Sequence, residues 1–414
     1  MIMFTQLPTP KTIQHRKKRP SFNSVYCLTS FLLAITPGAF ANSHINSYLS
    51  SALVGTSNTH EVDTSINTAN SWLEGAQFRT SLDSEDKQSY QLRLEPKNRQ
   101  QVQTEKELLQ LYSRLQSENI NFEQSLVLKG LYLSLISTMQ LKQRLSTQQA
   151  KLQLIQEEIG YYQRMVQTQD FNPEKLQKLT LEKKSLLNQI TTTRVAFQNT
   201  AHQSNLDIKY FDLNQWVNPK YIRNYLSSHE KTNTKTSNPE IETALLKLKI
   251  AQAKRERMKS KQGFGVNLLQ LEYEDSNKNS TSIGVGFRIP LGEDRFSNIE
   301  QGFNLIKIQD EIYSSRAKID LSIKSRKLTL HNLQNQLTSL NRLESDINQR
   351  LAKSNKLPMF ELMVNLKNQK LLLAEQRKDI HLSLIREYIY LLHDQGTLTQ
   401  KPFRNWLLKG QPTI

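Results

Sequence analysis

The pattern of apolar and polar positions changes period along this chain, from two to between three and four. Residues 283–289 alternate between apolar side chains and glycine or arginine, as expected for a β-strand with one apolar face. Residues 264–273 alternate in the same way apart from a one-residue phase shift, which predicts a β-bulge near Leu268. The polar loop between them and the closing Pro290 together predict a β-hairpin over 263–291.

An earlier segment has the same alternation around a polar loop and ends at Pro96, which predicts a hairpin over 74–95. Each strand has about the 9–11 residues of a tilted membrane strand. A lone hairpin is marginal in water. The strands therefore either face lipid or form a small amphipathic sheet packed on a helix. In the first case the candidate membrane-facing residues are Phe78, Leu82, Leu92, Leu94, Ile283, Val285, Phe287 and Ile289.

Long helical periodicity follows each hairpin. Leucine and isoleucine recur at steps of three, four and seven, which predicts a helical hairpin over 97–204 that reverses at Asp170–Pro173. A second helical hairpin is predicted over 294–393, reversing at 355–358. The first helix would be about 100 Å long at 1.5 Å per residue.

The two halves of the chain share one order of elements. Pro290 follows Pro96 by 290 − 96 = 194 residues, and Pro358 follows Pro173 by 358 − 173 = 185 residues. Such an offset predicts two structural repeats. We assign them to residues 42–237 and 238–395, with an irregular surface insertion at 206–237 and a C-terminal tail at 396–414.

The N-terminus predicts export. A basic stretch, a short apolar segment over 25–35 and Ala39-Phe40-Ala41 predict a signal peptide over 1–41. The single cysteine, Cys27, lies inside it, so the mature chain is predicted to have no thiol and no disulfide.

The net charge is +17, and 17 − 5 = +12 once the five basic residues of the predicted signal are removed. A basic excess can indicate nucleic-acid binding, but predicted export argues against such a partner. Two interpretations remain: a solvated lysine-rich helix surface, or contact with anionic lipid head groups or an anion-friendly lumen.

No pattern predicts chemistry. The eight histidines are scattered, and none has the spacing of a metal site or of a nucleophile with its base. We therefore predict no catalytic residue, cofactor or metal, and we expect His331, His381 and His393 to be solvated helix residues.

Three stretches carry a resemblance to a known family. They are SIGVGFRIPL running into a long helix, NKLPMFELMVNLKNQKLLLAEQ, and the first-half pair SWLEGAQF…LRLEP and DFNPEKLQKLTLEKKSLLNQ. Together they make residues 43–395 resemble the TolC family of outer-membrane efflux channels. The resemblance implies a mainly α fold with a small β part. It also implies a homotrimer in which four strands per copy close a twelve-stranded β-barrel above a periplasmic α-barrel.

The resemblance also implies a function and a location. The chain would be a passive exit duct in the outer membrane of a Gram-negative bacterium, docking on a periplasmic adaptor and an inner-membrane pump. Residues 206–237 and the tail would form an equatorial belt. The alternative is a periplasmic coiled-coil scaffold without transport activity.

The breaks would form the periplasmic tip. The carboxylates there either line the aperture or are helix caps and first-turn residues favoured by the helix dipole. The candidate tip or aperture residues are Asp170, Phe171, Asn172, Pro173, Glu174, Lys356, Leu357, Pro358, Met359 and Glu361.

Overall fold

Antiparallel strands and long helices make up the part of the chain that the computed structural model describes. The described residues are 45–50, 53, 72–82, 88–167, 171–203, 212–231, 238–262, 265–275, 280–288, 295–354 and 360–410. All of them belong to one structural unit, Pro37–Ile414. The predicted signal peptide, Cys27, Asp170, Ile289 and residues 355–359 lie outside the described residues.

The two hairpins form one antiparallel sheet. Its strands are β1 (Leu73–Leu82), β2 (Gln88–Pro96), β3 (Gly265–Asp275) and β4 (Ser280–Arg288), in the order β1-β2-β3-β4. Strand β2 pairs with β3 and so joins the hairpins, which leaves β1 and β4 at the edges of the described sheet. The register shifts between Val266 and Leu268, which confirms the predicted bulge.

The strand register separates an apolar face from a polar face. Two rows on one face contain only apolar residues, and they read Phe78-Leu92-Leu271-Ile283 and Ala76-Leu94-Leu269-Val285. The row between them lies on the other face and reads Gln77-Arg93-Gln270-Gly284. Because side chains alternate along every strand, this register makes the whole sheet two-sided.

The sheet is not packed on a helix. Among the described residues, the helices pack against one another rather than against either face of the sheet. The side chain of Ile283 is 77% exposed, and those of Phe78 and Phe287 are also exposed. The second interpretation of the hairpins, a sheet packed on a helix, is therefore wrong.

The helices follow the predicted order with small changes at their ends. They are α1 (Arg99–Arg164), α2 (Pro173–Gln203), α3 (Pro219–Lys231), α4 (Pro239–Gln262), α5 (Arg295–Ser354) and α6 (Phe360–Asp394), and residues 45–50 and 53 are also helical. No helix in the described ranges is both long and apolar enough to cross a membrane.

Helix α1 begins where it does because Asn98 caps it. The Asn98 side chain accepts a hydrogen bond from the Gln101 amide at 2.8 Å, and the Gln101 side chain accepts one from the Asn98 amide at 2.8 Å. This reciprocal capping box satisfies donors that the first turn leaves free. The Asn98 side chain also donates to the Ser260 carbonyl at 2.7 Å and so fixes the end of α4 beside the start of α1.

The predicted irregular insertion is partly helical. Residues Leu213–Gln215 form a 3₁₀ turn and Pro219–Lys231 form α3, so the expectation of an irregular 206–237 is wrong for this part. The apolar positions of α3 recur over only thirteen residues, which is too short for the pattern to be distinguished from a loop. Buried Ile222 and half-buried Tyr225 place α3 on the core.

The main core lies where this insertion meets the tail. The Val217 amide donates to the Leu407 carbonyl at 2.7 Å, and the Lys409 amide donates to the Gln215 carbonyl at 3.0 Å. The tail starts at Gly396, whose positive φ of 72° closes α6 in a Schellman motif. The largest fully buried side chains include Trp216, Tyr132, Tyr388, Leu49, Leu128, Leu135, Ile136, Met139, Ile222, Leu330, Leu382 and Leu384.

Two of the three histidines that we expected to be solvated are half-buried. A ring nitrogen of His381 lies 3.0 Å from the Val217 carbonyl, and His393 Nδ1 lies 3.1 Å from Asp394 Oδ1. Both rings sit at contacts of α6 that the helical pattern alone does not locate. His331 is exposed, as predicted.

A charged cluster fixes the end of α6 against α5. The Asp394 carboxylate accepts hydrogen bonds from Ser322 at 2.6 Å and from Arg326 at 2.7 Å, while Arg326 also donates to Glu387 at 2.9 Å. Burial alone would raise the pKa of Asp394, but hydrogen bonds from His393, Ser322 and Arg326 hold that pKa at about 2.

Replacing Asp394 by asparagine is expected to lower the free energy of unfolding at pH 7 by about 1–3 kcal/mol, as for other hydrogen bonds to charged groups. The loss should shrink as the pH falls from about 4 to about 2, because the unfolded chain takes up a proton on this carboxylate near pH 4 whereas the folded protein does so only near pH 2. Thermal unfolding followed by circular dichroism at several pH values measures both effects. Asp346→Asn, which breaks an exposed pair with Arg350, should change little, and an equal loss in both variants would contradict this role of Asp394.

Candidate functional site

The candidate tip residues lie at the start of α2 and the start of α6. Asn172 caps α2, because its side chain accepts a hydrogen bond from the Lys175 amide at 3.0 Å. Pro173 is the first helical residue, Phe171 is half-buried, and Glu174 is exposed in the first turn. Asp170, Lys356, Leu357, Pro358 and Met359 lie outside the described residues.

Among the candidate residues that the structure describes, Glu361 has side-chain hydrogen bonds to two other helices. It lies in the first turn of α6, where its carboxylate accepts hydrogen bonds from the Tyr162 hydroxyl and, at 3.0 Å, from Lys175 Nζ. Lys175 also lies 3.7 Å from the Glu158 carboxylate and 5.0 Å from the centre of the Tyr162 ring. Three helices therefore meet here: the end of α1, the start of α2 and the start of α6.

An aromatic contact between α1 and α6 supports this meeting point. The rings of Tyr161 and Phe360 stack with centroids 3.8 Å apart, and Tyr161 meets Tyr162 edge to face at 5.5 Å. We call the set Glu158, Tyr161, Tyr162, Lys175, Phe360 and Glu361 the tip cluster.

Charge and burial shift the pKa values within the tip cluster. The hydrogen bonds from Tyr162 and Lys175 lower the pKa of Glu361, so its carboxylate stays ionised. The Tyr162 and Glu361 oxygens raise the pKa of Lys175. Burial raises the pKa of Glu158, which the nearby Lys175 only partly offsets. The Lys175 ammonium thus contacts two carboxylates on different helices, Glu158 on α1 and Glu361 on α6.

The eight candidate membrane-facing residues divide by exposure. Phe78, Ile283, Val285 and Phe287 are exposed on the apolar face of the sheet. Leu92 and Leu94 on the inner strand β2 are half-buried because both of their neighbouring strands are present. The backbone of Leu82 ends β1.

An aromatic row lies beside the hairpin loops on the same face. Tyr90 lies between Phe78 and Tyr273, with ring centroids 6.3 Å and 6.4 Å away, and Tyr90 pairs with Tyr273 across β2 and β3. Tyrosine rings at one end of an apolar strand surface are typical of a membrane interface.

The fold has close parallels among solved structures. The outer membrane protein VceC from Vibrio cholerae aligns with a TM-score of 0.61 and 11% identity, over 86% of this chain and 96% of that chain. CusC, whose structures concern folding and transmembrane channel formation, aligns with a TM-score of 0.59 and 10% identity, over 86% and 92%. The open state of the MtrE outer membrane channel from Neisseria gonorrhoeae gives 0.55 and 12%, over 87% and 88%.

The chain has the fold of the TolC-family outer-membrane channels. The likeness extends over nearly the whole length of each of these structures. No family model and no curated protein sequence matches the chain. The chain is mainly helical with one small antiparallel sheet, which confirms the predicted mainly α fold with a small β part.

The packing of helices from the two halves of the chain explains why the sequence analysis missed part of the tip cluster. Lys175 and Glu361 are 361 − 175 = 186 residues apart, and they meet because α6 packs beside α1, which in turn packs on α2. The sequence analysis does not single out Tyr162, which follows the apolar spacing of α1. A signal was available, since a tyrosine in such a stripe needs a partner for its hydroxyl once it is buried. Which partner it finds depends on how the two halves of the chain dock.

Proposed function

We propose that this chain is an outer-membrane exit duct, through which solutes pass passively from the periplasm to the exterior. Three copies would close one twelve-stranded barrel in the outer membrane of a Gram-negative bacterium. Their helices would continue into the periplasm as an α-barrel. The duct would work with a periplasmic adaptor and an inner-membrane pump.

The observation that carries this proposal is the two-sided sheet. Its apolar rows run in register across all four strands, and the side chains on the edge strands are exposed to the surroundings. Open edges cannot remain in lipid, because their unpaired backbone groups would lack hydrogen bonds. Closure by further copies would satisfy both edges and place the polar rows around a lumen.

The helices support the other half of the proposal. Helix α1 has 66 residues, so it is about 100 Å long. The tip cluster lies at the end of α1 far from the sheet, where α2 and α6 begin. We infer that the tip cluster, which joins three helix ends about 100 Å from the sheet, narrows an aperture there.

Membrane fractionation and single-channel recording test the proposal together. We expect the protein in the outer-membrane fraction, a trimer on sedimentation in detergent, and ion conductance in planar bilayers. Recovery as a soluble periplasmic monomer would overturn the proposal and favour the coiled-coil scaffold instead.

The adaptor should contact the tip rather than the middle of the helices. A cysteine at Asn172, the cap of α2, is expected to crosslink to the adaptor in cells with active efflux. Thr192, exposed in the middle of α2, is the matched control position. The predicted thiol-free mature chain makes both variants single-cysteine proteins. Crosslinking at Thr192 with none at Asn172 would contradict docking at the tip.

A further inference from the structure

A cavity of about 590 Å³ lies where the insertion and the tail meet the long helices. Side chains from α1, α5, α6, the 3₁₀ turn before α3 and the tail line it, and all of them belong to one chain. The volume falls within the range of pockets that hold small organic ligands, about 300–1,000 Å³. We call this space the belt cavity.

The carboxylates of the belt cavity already have cationic neighbours. Arg377 Nη1 lies 2.8 Å from the Glu344 carboxylate, so these two lining charges offset each other. The carboxylate of Asp212 accepts a hydrogen bond from the Asn214 amide at 2.9 Å, and the nearby Lys142 balances part of its charge.

Two further lysines leave the belt cavity with an excess of positive charge. Lys378 on α6 and Lys409 in the tail both line it. Within the described part of the chain, no carboxylate lies at ion-pair distance from either ammonium group. A concave surface with walls of low dielectric concentrates such a field, so this surface attracts anions.

Neutral hydrogen-bonding groups lie beside these cations. The side chain of Asn218 accepts a hydrogen bond from the Tyr221 amide through Oδ1 at 2.7 Å, which leaves Nδ2 as a donor. The amide side chains of Gln143 and Asn214 line the same space. Amide groups of this kind fix the orientation of a polar ligand through hydrogen bonds to its hydroxyl groups.

His381 adds a hydrogen-bond acceptor to the belt cavity. Burial, together with the nearby charges of Arg377 and Lys409, lowers the pKa of His381, so the ring is neutral at pH 7. The ring nitrogen Nε2 lies 3.0 Å from the Val217 carbonyl, which can only accept, so Nε2 carries the proton. Nδ1 of the neutral ring is therefore an acceptor for a hydroxyl group.

We propose that the belt cavity binds a small hydroxylated organic anion, such as a sugar acid or a sugar phosphate. Lys378 and Lys409 would hold its carboxylate or phosphate, and Asn218 and His381 would bind its hydroxyl groups. The site is independent of the proposed duct, because neither the sheet nor the tip cluster takes part in it.

Isothermal titration calorimetry on the detergent-purified full chain, in buffer of low ionic strength, tests the site. The probes are glucuronate, glucose 6-phosphate and glucose, which share one skeleton and differ in charge. We expect at least one of the two anions to bind at one molecule per chain and glucose not to bind. Binding of glucuronate alone would identify a carboxylate ligand, and binding of glucose 6-phosphate alone would identify a phosphate ligand.

Replacing both Lys378 and Lys409 by glutamine is expected to weaken the affinity for the anion by at least about tenfold, because two charge-assisted hydrogen bonds are lost. The matched control replaces Lys370 and Lys401 by glutamine, which removes one exposed lysine from the same helix and one from the same tail. Glu344→Gln should instead strengthen binding severalfold, since it frees Arg377 for the anion. A variant that folds poorly cannot imitate this gain.

Several outcomes would overturn the site. Failure of both anions to bind, or equal binding of glucose, would do so directly. Equal weakening in the two double-lysine variants would assign the binding to the general positive charge of the chain. Unchanged or weaker binding by Glu344→Gln would contradict an anion beside Arg377. None of these results bears on the duct, whose location and conductance are measured separately.

Discussion

Replacing Val285 by arginine is expected to prevent assembly in the outer membrane. Val285 lies near the middle of β4, in the apolar row with Leu269, Leu94 and Ala76, and it is exposed on the face that we assign to lipid. A charged side chain at the bilayer midplane costs about 2–4 kcal/mol per copy. Three copies in one barrel would multiply that cost. Heat-modifiable trimer in outer-membrane fractions is the measurement.

The neighbouring residue provides a matched control. Gly284 lies on the polar face, in the row with Gln270, and a Cβ placed there meets its nearest atom, Gln270 Cβ, at an ordinary 3.5 Å. Arginine at Gly284 therefore adds the same charge one residue away without a clash, and should assemble far better. Phe287→Arg, one row nearer the strand end, should fall between the two. Equal assembly of all three variants would mean that the sheet has no lipid-facing side.

The sheet was predictable because its signal is local. Alternation of Ile283, Val285 and Phe287 with two glycines needs no knowledge of the rest of the chain, and neither does the phase shift that marks the bulge. The pairing of β2 with β3 was not predictable in register, because it depends on contacts between segments about 180 residues apart. The helix periods were equally local, which is why the predicted and observed ends of α1, α2, α5 and α6 differ by only a few residues.

The tip cluster shows where the sequence stops being informative. Glu361 was among the predicted residues because a first-turn carboxylate beside a chain reversal is visible in the sequence. Lys175 and Tyr162 were not, because nothing near them in sequence indicates a carboxylate partner on another helix. Short amphipathic α3 was missed for a different reason, since its pattern is too brief.

Replacing Lys175 by glutamate is expected to open the duct at the tip. The change would remove the ammonium that contacts Glu361 and Glu158 and would put a third carboxylate beside these two. Exposed ion pairs contribute about 0.2–1 kcal/mol each. Losing only the closer pair, with Glu361, in three copies that open together would shift the equilibrium by up to roughly a hundredfold, at 1.4 kcal/mol per tenfold. Single-channel conductance and uptake of a large antibiotic, normally excluded by the outer membrane, measure the opening.

Lys178→Glu is the matched control for this variant. Lys178 is exposed one turn further along α2, so its replacement by glutamate makes the same change of charge outside the tip cluster. Combining Lys175→Glu with Glu361→Lys should restore closure only in part, because Glu158 would then face the new glutamate. Equal conductance for Lys175→Glu and Lys178→Glu would show that general charge at the tip, and not the cluster, sets the aperture.

Acid should open the unmodified duct through the same cluster. The pKa of Glu361 is lowered by the Tyr162 hydroxyl and by Lys175, and both contacts would be lost on opening. The closed form therefore binds fewer protons than the open form, and closure loses its advantage as the pH falls from the ordinary glutamate pKa of about 4.3 through the lowered pKa of the closed form. Glu361→Gln removes the titrating group, so this variant should be more open at pH 7 and should respond less to acid. Lys175 remains charged throughout, because its raised pKa lies far above this range. A conductance rise in acid that is the same with and without Glu361 would place the titrating group elsewhere on the tip, with Glu158 as the next carboxylate to replace.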